Sequence, residues 1–460
     1  MNMDKTIEEF RTGKLELDCR RIVLSQNSEG GERYEGKGYI RQNTDGVLVF
    51  KVYVTNHENA TPHGALFNEM RHFGKVRPDE LYFNLAAEVR GGMQLRASRL
   101  MPNVLWTLLG EPDFISGQLH SVTVEPSLPQ VEHVLELHFF EELPVPKTDW
   151  SEVEGVDGTH LVTDAAEFDA GGSHFKVRVR EGSGRSVVVV TSSEAFSPGY
   201  YWRIQEALQF VIGRTVTVGA CVTCGPGFQK AELFSPTRSS VRPHFCPPIK
   251  HSSIAYLRHG WALFSAYLTY VVNSSSATLW NPLAYHLYNA RESSANSLDS
   301  WAMGVSVALE AVASLVSLPE NFDRQGETEA AVRGLKRYIA GHAELGTIKD
   351  RVIGLLGMLE HPPGPRDKLK WLAAQGKAEK AYIQQWTDLR NAHVHPRLID
   401  LEQPSQTAYQ KQLDRIHSVQ VLLCQITYYL IGFCGPYTDY AAEGYPEKDY
   451  PLVAPNPADA

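Results

Sequence analysis

Ser235-Pro236-Thr237-Arg238-Ser239-Ser240-Val241-Arg242-Pro243-His244-Phe245-Cys246-Pro247-Pro248-Ile249-Lys250-His251-Ser252 divides the chain into two readings. Pro236, Pro243, Pro247 and Pro248 interrupt any regular element across it, and polar residues fill much of the space between them. Before this stretch apolar residues recur at every second position, and after it they recur at steps of three and four. A strand turns successive side chains to opposite faces, whereas a helix returns to one face every 3.6 residues, so the change of period is a change of fold class. The expected architecture is therefore an α+β multidomain protein. A β-rich N-terminal domain covers 1–245 and a C-terminal all-α helical bundle covers 252–455.

The clearest strand lies from His174 to Arg180, where Phe175, Val177 and Val179 alternate with Lys176, Arg178 and Arg180. Glu181-Gly182-Ser183-Gly184-Arg185 is turn chemistry, and Val187 to Val190 returns as the second arm of a hairpin. Leu15 to Leu24, Val47 to Thr55, Val122 to Glu125 and Leu135 to Phe140 are further strand candidates. One helix interrupts them, with Ser197 as cap, Pro198 as first helical residue, and Trp202, Ala207, Phe210 and Val211 as its apolar series.

Beyond Ser252 the stripes are helical. Leu257, Trp261, Phe264, Leu268 and Val271 form one, and Leu298, Ala302, Val305, Leu309, Val312 and Val316 form another. Further helices are expected from about Glu327 to His342, Ala378 to His395, and Gln406 to Phe433, with His361-Pro362-Pro363-Gly364-Pro365 as a loop.

With 460 residues, 43% hydrophobic and 21% charged, the chain has the composition of a folded soluble protein of two domains. No uninterrupted apolar run suggests a membrane span, and Met1 to Phe10 lacks the pattern of a secretory signal, so the cytoplasm is the expected location. The net charge of −9 argues against a protein that coats nucleic acid non-specifically. Scattered cysteines make no disulfide framework.

Arginine followed four to six residues later by histidine occurs at Arg238/His244, Arg337/His342 and Arg390/His395, about as often as chance allows. Context separates the three. Arg238 lies in the proline-rich linker, and Arg337 projects opposite the stripe of Val332, Leu335 and Ile339. Arg390 instead falls between the angular positions of Ile383 and Trp386, on the apolar face marked by Ile383, Trp386 and Leu389. A permanent charge there needs acceptors, and such a break in pattern tends to mark a functional or partner-contacting site. Pro396 disfavours the helical conformation at His395, which frees that imidazole into a turn. Asn391 adds a neutral hydrogen-bonding group. His393 shares the face of Arg390 and reads either as a second proton carrier or as a packed neutral residue.

Arg390, Asn391 and His395, set as Arg-Asn-x-x-x-His near a helix end inside a bundle, resemble the motif of the HEPN superfamily of helical ribonucleases. The resemblance covers roughly Ile254 to Leu452. Glu310, in Ala308-Leu309-Glu310-Ala311, resembles the acidic position found on an earlier helix of that module. The β-rich leader and the tail Gly435-Pro436-Tyr437-Thr438-Asp439-Tyr440 look similar to ApeA-type bacterial defence proteins. What the resemblance implies is a metal-independent, cofactor-free endoribonuclease in which the RNA 2′-hydroxyl attacks the adjacent phosphate. Arg390 would stabilise the transition state, His395 would move protons, and Asn391 would orient the phosphate or the turn. It also implies a homodimer through the helical domain, with Glu310 a candidate counter-charge to Arg390. Anti-phage defence by cleavage of single-stranded RNA or tRNA follows, with the β-rich domain receiving a phage-derived or nucleotide trigger. The competing reading is a non-catalytic helical module that binds a nucleotide or a protein.

Three other constellations compete with blander readings. Cys221, Cys224, His244 and Cys246 could form a zinc set, but strand alternation through Val216, Val218, Ala220 and Val222 would put Cys221 and Cys224 on opposite faces. Lys176, Arg178 and Arg180 could bind phosphates or simply be solvated. Asp164, Glu167 and Asp169 could hold a metal or form a polar surface.

Overall fold

A computed structural model of the chain describes residues 3–60, 76–89, 92–107, 110–125, 133–155, 158–180, 184–236, 245–274, 280–319, 326–357, 363–394 and 406–452. The chain separates into two compact units, Met1–Gln205 with Val216–Ser240, and Glu206–Thr215 with Val241–Ala460. The first unit is β-rich and the second is helical, a two-part α+β layout.

In the first unit the described strands form one antiparallel ladder. They are β1 (Glu16–Gln26), β2 (Arg33–Gln42), β3 (Leu48–Glu58), β4 (Phe83–Val89), β5 (Gln94–Leu100), β6 (Asn103–Trp106), β7 (Pro112–Leu119) and β8 (Ser121–Glu125). After them come β9 (His133–Phe139), β10 (Asp149–Gly155), β11 (Gly158–Ala170), β12 (Ser173–Arg180), β13 (Arg185–Ser192), β14 (Val218–Gly225) and β15 (Phe228–Phe234). Their order is β10-β11-β12-β13-β9-β14-β15-β8-β5-β4-β1-β2-β3-β7-β6. The sheet curls until β5 meets β7. The enclosed core takes Leu17, Ile22, Leu24, Ile40, Phe50, Val52, Leu85, Leu95, Ile115 and Val124 from alternate positions of their strands, and helix α1 (Met3–Arg11) adds Ile7 and Phe10. Period two is thus the trace of one face turned inward. A bulge between Cys19 and Ile22 shifts the register of β1 and lets both Cys19 and Ile22 point into the core.

The helix after β13 begins later than the sequence suggests. Ser197-Pro198-Gly199-Tyr200 is a turn closed by the Tyr200 N–H donating to the Ser197 carbonyl at 3.0 Å, with Gly199 at φ +78°. Proline followed by a residue of positive φ is what a type II turn requires, so Ser197 is not a helix cap. Helix α2 runs over Tyr200–Ile212, with Trp202 40% exposed and Arg203, Glu206 and Gln209 buried.

The second unit contains α3 (Ile254–Ser274), α4 (Pro282–Ser293), α5 (Leu298–Ser314), α6 (Gly326–Ala340), α7 (Gly346–Gly357), α8 (Pro365–Ala374), α9 (Lys380–Val394) and α10 (Gln406–Ile431). The pair β16 (Gly435–Thr438) and β17 (Glu447–Tyr450) follows them. α5 lies at the centre, packed against α4, α8, α9 and α10. Its start is set by the Ser297 hydroxyl, which accepts from the Ser300 N–H at 3.1 Å. Gly304 in its middle faces α4, where a Cβ would run into the side chain of Ser293. The second half of α10 is buried on every side, from Ile416 through Val419, Leu422 and Ile426 to Tyr428, as expected of a helix apolar all round.

α4, α7 and α8 lie outside the helices read from the stripes. α4 is started by Asn281, whose side chain accepts from the Leu283 N–H, and by Pro282 in its first turn. α8 begins at Pro365, the last residue of the segment read as a loop, and the Asp367 carboxylate accepts from the Gly364 N–H at 3.3 Å. Leu257 and Leu335 are 48% and 46% exposed and so lie off the buried faces of their helices. Among the described residues no helix is long and apolar enough to cross a membrane.

Candidate functional site

α9 carries the arginine singled out by the sequence, and the side chains around it fix how that helix sits. Ile383, Trp386 and Leu389 are 6%, 4% and 1% exposed and bury one stripe. Along one edge of the stripe, Tyr382, Trp386 and Arg390 recur every fourth residue, and each is tied to another element. The Tyr382 hydroxyl donates to both carboxylate oxygens of Asp439, at 2.9 and 2.7 Å. The Trp386 indole N–H donates to the Ser306 carbonyl of α5 at 3.2 Å. Arg390 Nε donates to Glu310 Oε2 at 2.8 Å, and Nη2 reaches Oε1 at 3.5 Å.

Ser306 and Glu310 are one turn apart on α5, as Trp386 and Arg390 are on α9. The two contacts are therefore rungs between helices that run the same way. Arg390 and Glu310 are each a little over a third exposed, at 39% and 38% of their side chains, so the pair sits at the rim of the bundle. An ion pair this open contributes about 0.2–1 kcal/mol to stability. What it does well is orient the guanidinium: two of five N–H donors face Glu310, and among the described residues no other acceptor takes the rest of the planar fork.

On the other side of α9, Arg415 of α10 lies 3.8 Å from Asp388, and the Arg415 Nε is buried with no hydrogen-bond partner among the described residues. Lys368 of α8 donates to the Ser314 carbonyl at 2.8 Å, at the carboxyl end of α5 and one turn past Glu310. Burial lowers the pKa of Lys368. A cation at a helix carboxyl end is favoured by the helix dipole. Neither Lys368 nor Arg415 was marked by its own sequence context, because each sits among ordinary surface charges and is brought to this end of the bundle only by packing.

Arg390 and Glu310 are thus together in the structure. Asn391 is exposed and has no hydrogen-bond partner among the described residues. His393 lies within α9, but its side chain, like all of His395, falls outside the described residues.

The anchor at the far end of α9 is the tail motif. Asp439 is fully buried, accepts from Tyr382 and from the Ala441 N–H, and pairs with Lys448 Nζ at 2.7 Å. Tyr437 accepts from Gln425 of α10 at 3.1 Å, and Tyr428 donates to the Pro436 carbonyl. Burial, then the hydrogen bond to Asp439, pushes the Tyr382 hydroxyl far above its ordinary range, so it stays a donor.

The remaining candidates separate. Cys224 joins Ala220 and Val222 in the inner core, while Cys221 is not part of that cluster and lies close enough to Tyr201 of α2 to perturb it. The two thiols therefore face apart, and burial pushes Cys221 up to about 12 and Cys246 up to about 11. His244 lies outside the described residues. Lys176 is matched by Glu167 at 3.2 Å, and Arg178 is exposed. Asp164 is buried, on the face of β11 opposite Glu167 and Asp169, so these three carboxylates do not converge. Instead His174 is bracketed by Asp169 and Glu167, at 2.9 and 3.0 Å.

Compared with known proteins, the chain matches no family model, no curated protein and no solved structure.

Proposed function

We propose that the helical unit is a metal-independent endoribonuclease whose reacting groups are Arg390, Asn391 and His395, with Glu310 as support. The observation that carries this reading is the hold on Arg390. It is kept beside the apolar stripe of α9 by Glu310, with donors that meet no other acceptor among the described residues, on the helix end that leads in sequence to His395. A guanidinium set in that way suits a phosphate gaining charge in a transition state. An imidazole can take up and release protons near neutral pH, and that chemistry suits His395 to proton transfer. In the proposed reaction the RNA 2′-oxygen loses its proton and bonds to phosphorus, the 5′-oxygen leaves and takes up a proton, and a 2′,3′-cyclic phosphate remains. Two copies of the chain would pair through the helical unit and bring two such motifs together. The biological setting we propose is bacterial anti-phage defence by cleavage of single-stranded RNA or tRNA, with the β-rich unit receiving the trigger.

The Arg390–Glu310 pair equally braces α5 against α9, which suits a non-catalytic module binding a nucleotide or a protein. His395→Ala separates the two readings. In the nuclease it abolishes cleavage of labelled RNA while the melting temperature and oligomeric state stay at wild-type values. In a binding module there is no cleavage to lose, and ligand or partner affinity falls instead.

A further inference from the structure

The outer face of β2, β3, β7 and β6 carries three cross-strand rows with an unusual content. Lys37, Tyr53, Phe114 and Leu105 stand opposite one another in the first, and Tyr39, Lys51, Ser116 and Asn103 in the second. Arg41, Val49 and Gln118 form the third. Residues in register on one face are neighbours, and rows two residues apart lie about 6.8 Å from each other. Tyr53 and Leu105 are each 50% exposed, and Lys37 and Arg41 are exposed.

The cations on this face are not neutralised. Elsewhere on the same sheet Arg20 pairs with Glu88 and Arg21 with Glu35. Lys37, Arg41 and Lys51 have no carboxylate partner among the described residues. Two of them rest on rings: Lys51 Nζ lies 3.9 Å from the centre of Phe114 and 5.0 Å from that of Tyr53, and the Arg41 guanidinium lies 4.8 Å from that of Tyr39. Glu16 and Asp18 of β1, opposite Arg41 and Tyr39, mark the border of the basic field.

We propose that this face of the β-rich unit binds single-stranded nucleic acid. Outward-facing rings, Tyr53 exposed and Tyr39 and Phe114 half-buried, alternate with cations that have no carboxylate partner among the described residues. They meet both needs of an unpaired strand: a surface for bases to stack on and charges for the phosphates between them. Lys51 and Arg41 cover the rings in the free protein and move onto phosphates as bases take their place. Ser116, Asn103 and Gln118 supply the polar rim. Paired bases offer no free faces, so duplexes bind more weakly. The proposal concerns the first unit alone and does not depend on cleavage by the second.

The test is fluorescence anisotropy of the full chain with labelled 2′-O-methyl oligouridine and its DNA counterpart. Neither has a free 2′-hydroxyl, so the proposed nuclease cannot cut them. Tyr53→Ala and Phe114→Ala are expected to weaken binding about 5- to 100-fold each, the range for losing one stacking aromatic. The triple variant Lys37→Gln, Lys51→Gln, Arg41→Gln should flatten the dependence of log Kd on log salt by about 2, as three lost phosphate contacts on a single strand imply. All of these positions lie on the outer face, Lys37, Arg41 and Tyr53 exposed and Lys51 and Phe114 half-buried, so melting temperatures should stay within a few degrees of wild type. Stronger binding of the 2′-O-methyl strand would identify RNA, and equal binding would identify single strands in general; both support the assignment. Binding that the substitutions leave unchanged would overturn it. So would the absence of binding at about 100 µM protein and low salt, which would leave the face to a protein partner.

Discussion

Arg390 holds its charge where a neutral residue would pack more simply, and Glu310 is the reason it can. If the pair serves orientation, Glu310→Gln should cost under about 1 kcal/mol in thermal unfolding, because the pair is open to water. RNA cleavage should fall about tenfold or more, because the fork loses its set direction. A variant that loses stability but keeps full activity would reverse that assignment. The rung one turn earlier is structural. Trp386→Phe trims the buried indole to a phenyl ring and removes the N–H that the Ser306 carbonyl accepts beside its own helix bond, and about 1–3 kcal/mol should be lost in denaturant unfolding. In the β-rich unit, His174 titrates above the ordinary histidine value, first because of Asp169 and then Glu167. A raised folded pKa means that its small contribution to stability is complete at pH below the unfolded imidazole's value and disappears as pH rises through the folded one. Asp169→Asn should move the His174 NMR titration midpoint down toward the ordinary value.

Among the elements, α9 shows how a helix is given a fixed rotation. Asp439, Ser306 and Glu310 hold three residues of one edge, so the end bearing Arg390 is positioned from both ends of the helix. Asp439→Ala removes a buried acceptor shared by Tyr382 and Lys448. It should cost about 3 kcal/mol and loosen α9, with faster amide exchange along Lys380–Val394. The sequence shows that Arg390 breaks the apolar pattern and offers Glu310 as its counter-charge, since both judgements use local spacing or a resemblance. It does not show the Tyr382–Asp439 tie or the nearness of Lys368 and Arg415, which depend on how distant segments pack. The helix stripes mislead where polar side chains are buried. In α2, Glu206 and Gln209 point inward because Asn281 and Arg291 meet them, while Trp202 turns outward. α4 and α8 escape because their starts are written in caps and prolines rather than in long stripes.

For the whole molecule, period two before Ser235 and period three-to-four after Ser252 suffice to read a β-rich unit and a helical unit, because each period records which face is buried. Sheet order is different: β9 pairs with β13 and β14, far along the chain, and no local signal encodes that choice. The segment Glu206–Thr215, which takes in the second half of α2 and the turn after it and belongs with the helical unit, is likewise invisible to a boundary sought in proline content. The proposed pairing of two motifs predicts a particle of twice the chain mass in light scattering, and a strictly monomeric active protein would exclude it. The most direct measurement is to incubate the protein with end-labelled single-stranded RNA and tRNA in EDTA and identify the product ends. The account predicts 2′,3′-cyclic phosphate and 5′-hydroxyl ends from the wild-type chain, none from Arg390→Ala or His395→Ala, and no cut where the scissile nucleotide lacks its 2′-hydroxyl. Cleavage that leaves other ends, cleavage that persists in both variants, or RNA left intact by the wild-type chain would contradict it.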